Sequence, residues 1–222
     1  MKSVIFNGSP RGEKSNTKLL MDSFLKGFEN ISKTDIPEIH YLQKWTNREN
    51  HLNSFQNADF VILAFPLYTD AMPGIVKYFI EGLEKFKNSE KNPAIGFVVQ
   101  SGFPEVIHSR YIEKYLVKLC KKLNSKYLGT VIKGGVEGMQ IMPSYMTKKT
   151  YSGFQQLGEY FAKTQTFDEK VIKNFAKKEK MSQLRLKAYK IMQKTGLTNF
   201  YWDSQLKKNQ VFENRFATPF VK

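Results

Sequence analysis

Between Asn7 and Thr17 the chain reads Asn-Gly-Ser-Pro-Arg-Gly-Glu-Lys-Ser-Asn-Thr, a polar run with glycines at 8 and 12. Ser9, Ser15, Asn16 and Thr17 supply hydroxyl and amide groups, and Gly8 lets the chain turn out of the preceding apolar segment. An apolar-periodic segment starts near Asn16. A helix there directs its free N–H groups and positive dipole end at this run, so the chemistry on offer is anion binding. The spacing is not that of the Walker loop: three residues separate Gly8 from Gly12, and Glu13 stands between Gly12 and Lys14. It is not the dinucleotide Gly-x-Gly-x-x-Gly either. A turn followed by a Ser or Asn N-cap uses the same residues. The place of the run, after the first strand of an alternating α/β pattern, favours the phosphate reading.

No nucleophile–base pair is legible elsewhere. His40, His51 and His108 are scattered, and only His108 falls near another strand-end loop, as a proton-transfer candidate or a plain surface imidazole. Glu137, after Gly134-Gly135, either borders the site or is a solvated loop carboxylate. Cys120 is the single cysteine, so an internal disulfide and a cysteine-rich metal or iron–sulfur site are excluded. With Leu116, Leu119 and Leu123 at helical spacing around it, Cys120 reads as a packed helix residue.

The elements that must position the polar run follow from hydrophobic period. Lys2–Asn7, Ile36–Leu42, Asp59–Phe65, Ala94–Gln100 and Tyr127–Lys133 read as five short strands, the third buried on both faces. A helix follows the first, with Leu20, Phe24 and Phe28 four apart. A second opens near Met72-Pro73 with Ile75, Val76, Phe79, Ile80 and Leu83 as its stripe. A third begins at Pro104-Glu105, with Ile107, Tyr111, Tyr115 and Leu119 on or near one face. Strands alternating with amphipathic helices predict a doubly wound five-stranded parallel α/β sheet, with ligands at the carboxyl ends of its strands. From residue 151 the pattern turns helical, with stripes Phe154/Leu157/Phe161, Val171/Ile172/Phe175 and Leu184/Ala188/Ile191, Gly196 as a C-cap and an aromatic tail including Phe200, Trp202 and Phe220. The expected organisation is a ligand-binding domain over 1–150 and a helical, basic, aromatic-rich extension over 151–222, packed on that domain or on a partner subunit.

Three loops at successive strand ends carry a resemblance. Gly8-Ser9-Pro10-Arg11 with Ser15-Asn16-Thr17 resembles the FMN phosphate loop of the flavodoxin-like NAD(P)H-dependent FMN reductases. Pro66-Leu67-Tyr68-Thr69-Asp70 leading to Met72-Pro73-Gly74 resembles that family's flavin loop, and Ser101-Gly102-Phe103 falls where the family closes over the ring's pyrimidine end. The resemblance covers Met1 to Gly135. It implies a flavodoxin-like fold, FMN as cofactor and NAD(P)H as hydride donor, with a quinone, nitro or azo compound among the possible acceptors, and a homodimer. It also implies roles. Ser9, Pro10, Arg11, Ser15, Asn16 and Thr17 belong to the phosphate loop, with Arg11 facing the phosphate, solvent or the pyridine nucleotide. Pro66, Leu67 and Tyr68 wall the ring, with Tyr68 alternatively a packed aromatic, and Thr69 and Asp70 complete that loop. Ser101, Gly102 and Phe103 offer N–H groups to the polar edge. No side chain is required as catalyst, since the chemistry is at flavin N5. Phe65 departs from the small hydroxyl residue common before the proline, and the absence of a cysteine cluster excludes the family's iron–sulfur branch.

Composition bounds the rest. With 41% hydrophobic and 25% charged residues, general disorder is excluded. No apolar run is long enough for a membrane-spanning helix, and Val4-Ile5-Phe6 is too short for a signal peptide, so a cytoplasmic protein is expected. The net charge of +15 points to anionic partners, and from Lys163 onward 14 Lys/Arg face only five Asp/Glu. Two other functions fit parts of this. A flavodoxin-type electron carrier fits the loops, although such carriers are usually acidic and lack the extension. A nucleic-acid binder fits the basic, aromatic final third, which carries no recognised motif of that kind.

Overall fold

Five apolar runs form the strands β1 (Ser3–Asn7), β2 (Glu38–Tyr41), β3 (Phe60–Pro66), β4 (Ala94–Gln100) and β5 (Tyr127–Lys133). The computed structural model describes residues 2–87, 89–177, 179–180, 182–196 and 199–218. All neighbouring strands are parallel, in the order β2-β1-β3-β4-β5. The chain steps outward from β1 to β2, returns to β3 on the other side of β1, and continues outward to β5. Strand order reverses between β1 and β3, which opens a crevice at their carboxyl ends.

Side chains alternate across the sheet. Phe6, Leu63, Phe65, Phe97 and Val99 face one layer, made of α2 (Arg48–Gln56), α3 (Gly74–Gly82) and α4 (Arg110–Lys122), with Phe55, Val76, Phe79 and Leu116 buried between. Ile5, Ile62, Val98 and Val131 face the other, made of α1 (Asn16–Ile31), α5 (Ser144–Thr164) and α6 (Glu169–Phe175), with Phe24, Leu157 and Phe161 buried between. Helices α1 and α5 meet backbone to backbone. A Cβ on Gly158 would stand 1.9 Å from the Phe24 carbonyl oxygen, and one on Gly27 1.9 Å from that of Gln155. This contact fixes the height at which α1 begins, and hence the place of the polar run before it.

Some expectations shift. The second strand is shorter than expected, because Ile36 is exposed. Helix α2 had no expected counterpart, having few apolar residues to mark a face. In α4 the buried face is Ile112, Leu116 and Cys120, while Tyr111 is 74% exposed and Tyr115 also lies outside. The correct stripe has the same four-residue spacing, moved by one position. Cys120 is buried as expected, and burial pushes its thiol up to about 12.

The boundary expected at 150 lies inside α5, whose Phe154, Leu157 and Phe161 belong to the core, so the chain divides instead into compact units Met1–Lys180 and Met181–Lys222. The second unit holds α7 (Gln183–Lys194) and α8 (Phe200–Lys208). Of the stripe expected on α7, Leu184 and Ile191 are exposed. Gly196, just past α7, has φ 75°, the left-handed conformation of a C-cap glycine. Arg215 lies over the rings of Phe212 and Phe216. Phe220 lies outside the described residues.

Candidate functional site

The run after β1 is organised from within by Asn7, a fully buried amide at the strand end. Its Oδ1 accepts from Ser9 N–H at 2.9 Å, and its Nδ2 donates to Ser15 Oγ at 3.2 Å. Ser15 Oγ in turn donates to the Gly12 carbonyl at 2.5 Å and accepts from Lys18 N–H at 3.1 Å, which makes it the N-cap of α1. The Ser15 hydroxyl is thus committed to the loop, while the backbone N–H groups of Asn16 and Thr17 open the first helical turn, where no internal acceptor exists for them. Gly12 has φ 51°, a left-handed conformation that favours glycine, and lies under the Gln43 amide, which a Cβ would have to displace. Gly8 is required for a different reason from the one expected. Its φ is not positive, but a Cβ there would stand 2.2 Å from Val76 Cγ2 of α3.

The loop carries Arg11, Glu13 and Lys14, and Lys18 follows in the first turn of α1. Lys18 holds both oxygens of Asp22 at 2.7 Å, and that hydrogen bond raises its pKa above the ordinary lysine value. Arg11, about half exposed, lies 4.0 Å from Glu137. Asn16 is 6% exposed and donates through Nδ2 to the Val136 carbonyl at 2.8 Å. That carbonyl fixes which end of the amide is nitrogen, and the other end, Oδ1, is buried with no hydrogen-bond partner.

The other two loops close on this one. After β3, Leu67 N–H donates to the Gln100 carbonyl at 2.7 Å, and Tyr68 and Ala71 exchange backbone hydrogen bonds across Thr69 and Asp70. Both central residues are left-handed, at φ 49° and 62°. For the β-branched Thr69 this costs about 1–2 kcal/mol. After β4, Ser101 N–H donates to the Lys133 carbonyl, so it is not available to a ligand as expected. The loop is held from the far side by Gly135 N–H on the Phe103 carbonyl and Val136 N–H on that of Ser101. Gln100 reaches from β4 to Thr17 Oγ1 at 3.3 Å and so links the first and third loops.

One cleft results, at the β1/β3 crevice. Ser9, Arg11, Asn16, Pro66, Leu67, Tyr68, Ser101 and Gly102 line it as the sequence predicted, joined by Gln100 and Glu137. Pro10, Ser15, Thr17, Thr69, Asp70 and Phe103 are not among its lining residues. Ser15 and Thr17 act behind it, and Phe103 is half exposed beside His108. Gln100 was missed because a polar residue ending a buried strand carries no local signal. Glu137 borders the cleft, one of the two places its sequence position allows. Phe65 is wholly buried in the core and stays out of it.

A family model described as flavodoxin-like fold matches residues 1–89. The fold is flavodoxin-like. Solved structures bear out the likeness for the flavodoxin-like sheet and its helices. An NADPH-quinone reductase from P. pentosaceus superposes with a TM-score of 0.55 at 19% identity, covering 70% of this chain and 96% of that one. An NADH:FMN oxidoreductase in its apo form gives 0.57 at 16% identity, covering 76% and 91%. An azoreductase from Bacillus anthracis str. Sterne gives 0.55 at 16%, covering 72% and 100%. No curated protein sequence matches the chain. The flavodoxin-like fold that the three loops implied is therefore borne out. Among the described residues, no helix is long and apolar enough to cross a membrane, and no group of three His, Cys, Asp or Glu could hold a metal ion.

Proposed function

We propose that the chain binds FMN at the β1/β3 crevice and acts as an NAD(P)H-dependent oxidoreductase that passes electrons to a small-molecule acceptor, such as a quinone, nitro or azo compound. The observation that carries the reading is the orphaned, buried Oδ1 of Asn16 beside the open first turn of α1. The helix amides suit a phosphate. An oxygen acceptor beside them suits a ligand whose phosphate is followed by hydroxyl donors, as the ribityl chain of FMN is, and a bare inorganic anion does not meet that need. Ser9, Arg11 and the N–H groups of Asn16 and Thr17 would hold the phosphate, with Pro10, Ser15 and the Thr17 side chain shaping the loop behind them. Pro66, Leu67 and Tyr68 would border the ring, and the N–H groups of Gly102 and Phe103 would meet its polar edge.

When bound, FMN supplies hydride acceptance from a pyridine nucleotide and electron release to the acceptor. The chain's part is to bind, orient and shield. The activities in the neighbours' names, quinone reductase, azoreductase and FMN oxidoreductase, support this class of reaction. A cytoplasmic homodimer belongs to the same reading.

The test is an absorption spectrum after incubation with FMN and desalting, followed by anaerobic addition of NADPH or NADH. Retained flavin that bleaches with either nucleotide is expected. A colourless protein overturns the flavin site. Retained flavin that neither nucleotide bleaches overturns the enzyme and leaves an electron carrier.

A further inference from the structure

A second cavity, of about 510 Å³, lies at the carboxyl end of β5, between the loop after β4, the first turns of α5 and the end of α6. Met139, Met142, Met146 and Phe175 give it a soft apolar lining, with Thr147, Thr150 and Asn174 as neutral polar groups. Three lysines, Lys133, Lys149 and Lys177, stand around it, and among the described lining residues none is acidic. The Lys133 ammonium donates to the carbonyl of Gly134, another lining residue, which keeps that charge at the cavity. Lys149 and Lys177 have no carboxylate within ion-pair distance among the described residues. The larger cleft at the opposite end of β5 differs, since Asp168 and Glu169 line it with its lysines.

We propose that this methionine-walled, lysine-ringed cavity is a second small-molecule site, for an aromatic organic anion of two fused rings bearing a carboxylate or sulfonate. The volume is in the range of small-molecule sites. Thioethers adapt to flat ring surfaces and make favourable sulfur–aromatic contacts, which a polar wall does not. Lys149 and Lys177 supply the charge that the acid group needs. The site is separate from the flavin cleft but shares a wall with it. Ser101 and Gly102 line the cleft, whereas Pro104 and Gly134 line this cavity. At that wall, a Cβ on Gly134 would stand 2.5 Å from the Phe103 carbonyl oxygen. The proposal does not rest on the flavin reading and is tested without FMN.

The test is a titration of the full chain, labelled with ¹³C-methyl methionine, with 2-naphthoate. Saturable shifts of the Met139, Met142 and Met146 methyl signals are expected, with a dissociation constant below about 1 mM, in the range of weak specific binding. The neutral analogue 2-naphthalenemethanol should bind roughly tenfold more weakly. The double variant Lys149→Ala/Lys177→Ala should weaken 2-naphthoate by a similar factor, while Lys121→Ala/Lys122→Ala, which removes the same charge from α4, should leave it unchanged. The proposal is overturned if the three methyl signals do not move, or if both double variants weaken binding equally. Shifts that follow protein concentration and not ligand would also overturn it, because a second copy would then fill the cavity.

Discussion

His108 Nδ1 lies 3.3 Å from Asp70 Oδ1, and this contact ties the loop after β3 to the segment after β4. On its other side the imidazole is 3.6 Å from Glu105 and its ring centroid 4.7 Å from that of Phe103. The two loops it joins are those that would flank the flavin ring. With His108 about one-third exposed, the contact is worth a fraction of a kcal/mol. His108→Ala is therefore expected to raise the FMN dissociation constant about two- to fivefold with little change in Tm. A flavin-fluorescence titration checks this, and an unchanged constant would show the tie to be idle.

Asn16 would join stability to ligand binding in one amide. Asn16→Ala removes the donor to the Val136 carbonyl and leaves that acceptor buried, a cost of about 1–3 kcal/mol. It also removes Oδ1. Both a lower Tm and a roughly three- to tenfold weaker FMN complex are expected, as for a lost neutral hydrogen bond. Thermal melts with and without FMN separate the two. If FMN raises the Tm of the variant as much as that of the parent, Oδ1 does not meet the ligand.

At Gly158 two effects oppose each other. Alanine gains about 1 kcal/mol of helix propensity over glycine. Against this, its Cβ would sit 1.9 Å from the Phe24 carbonyl oxygen, and backbone cannot swing away as a side chain does. Overpacking of this kind costs about 1–3 kcal/mol or more, so Gly158→Ala should lower Tm by several degrees. Gly74→Ala, where a Cβ meets nothing within 4 Å, should be neutral or slightly stabilising, and differential scanning calorimetry of the pair is decisive.

His51 makes the fold acid-sensitive. It is buried, edge-on to Phe6, with the His40 ring 6.0 Å away. Burial, and then the charge of His40, pull its pKa below the ordinary 6.5. The unfolded chain therefore takes up a proton near pH 6.5 that the folded chain refuses until lower pH. Stability from this group is full above that value and falls as pH drops through it, by at most about 1.4 kcal/mol per pH unit. Melting curves between pH 7.5 and 5.5 should show Tm falling, and His51→Gln should flatten the slope.

How much of this was legible follows from what each residue depends on. The five strands could be read because strands buried on both faces are nearly continuous apolar runs, and Val4–Phe6 and Phe60–Phe65 show it best. The first helix was equally plain, since Leu20, Phe24 and Phe28 have no rival stripe. In α4 the aromatic Tyr111 and Tyr115 competed with Ile112 and Leu116 one position away, and a ring's size misled where its hydroxyl tip belongs in water. The cleft residues that were missed work at a distance. Gln100 acts on Thr17 across the sheet, and nothing within a few positions of it announces that. Asn7 looked like the last residue of a strand, and its role as organiser emerges only when the chain has folded back over it.

Lys18 and Asp22 pair within one turn of α1. Lys18, in the first turn of α1, is neutralised by its own helix, so a phosphate in the crevice would meet the helix amides and Arg11, while most of the surplus of +15 is spread over the rest of the chain. Attraction and grip are thus divided between different parts of the molecule. Salt will slow the arrival of an anion by screening the distant lysines, but it will do little to hasten departure from neutral amides at close range. The surface would act as a collector with little discrimination, and selection would be left to the loop, where Arg11 and Lys14 face only Glu13.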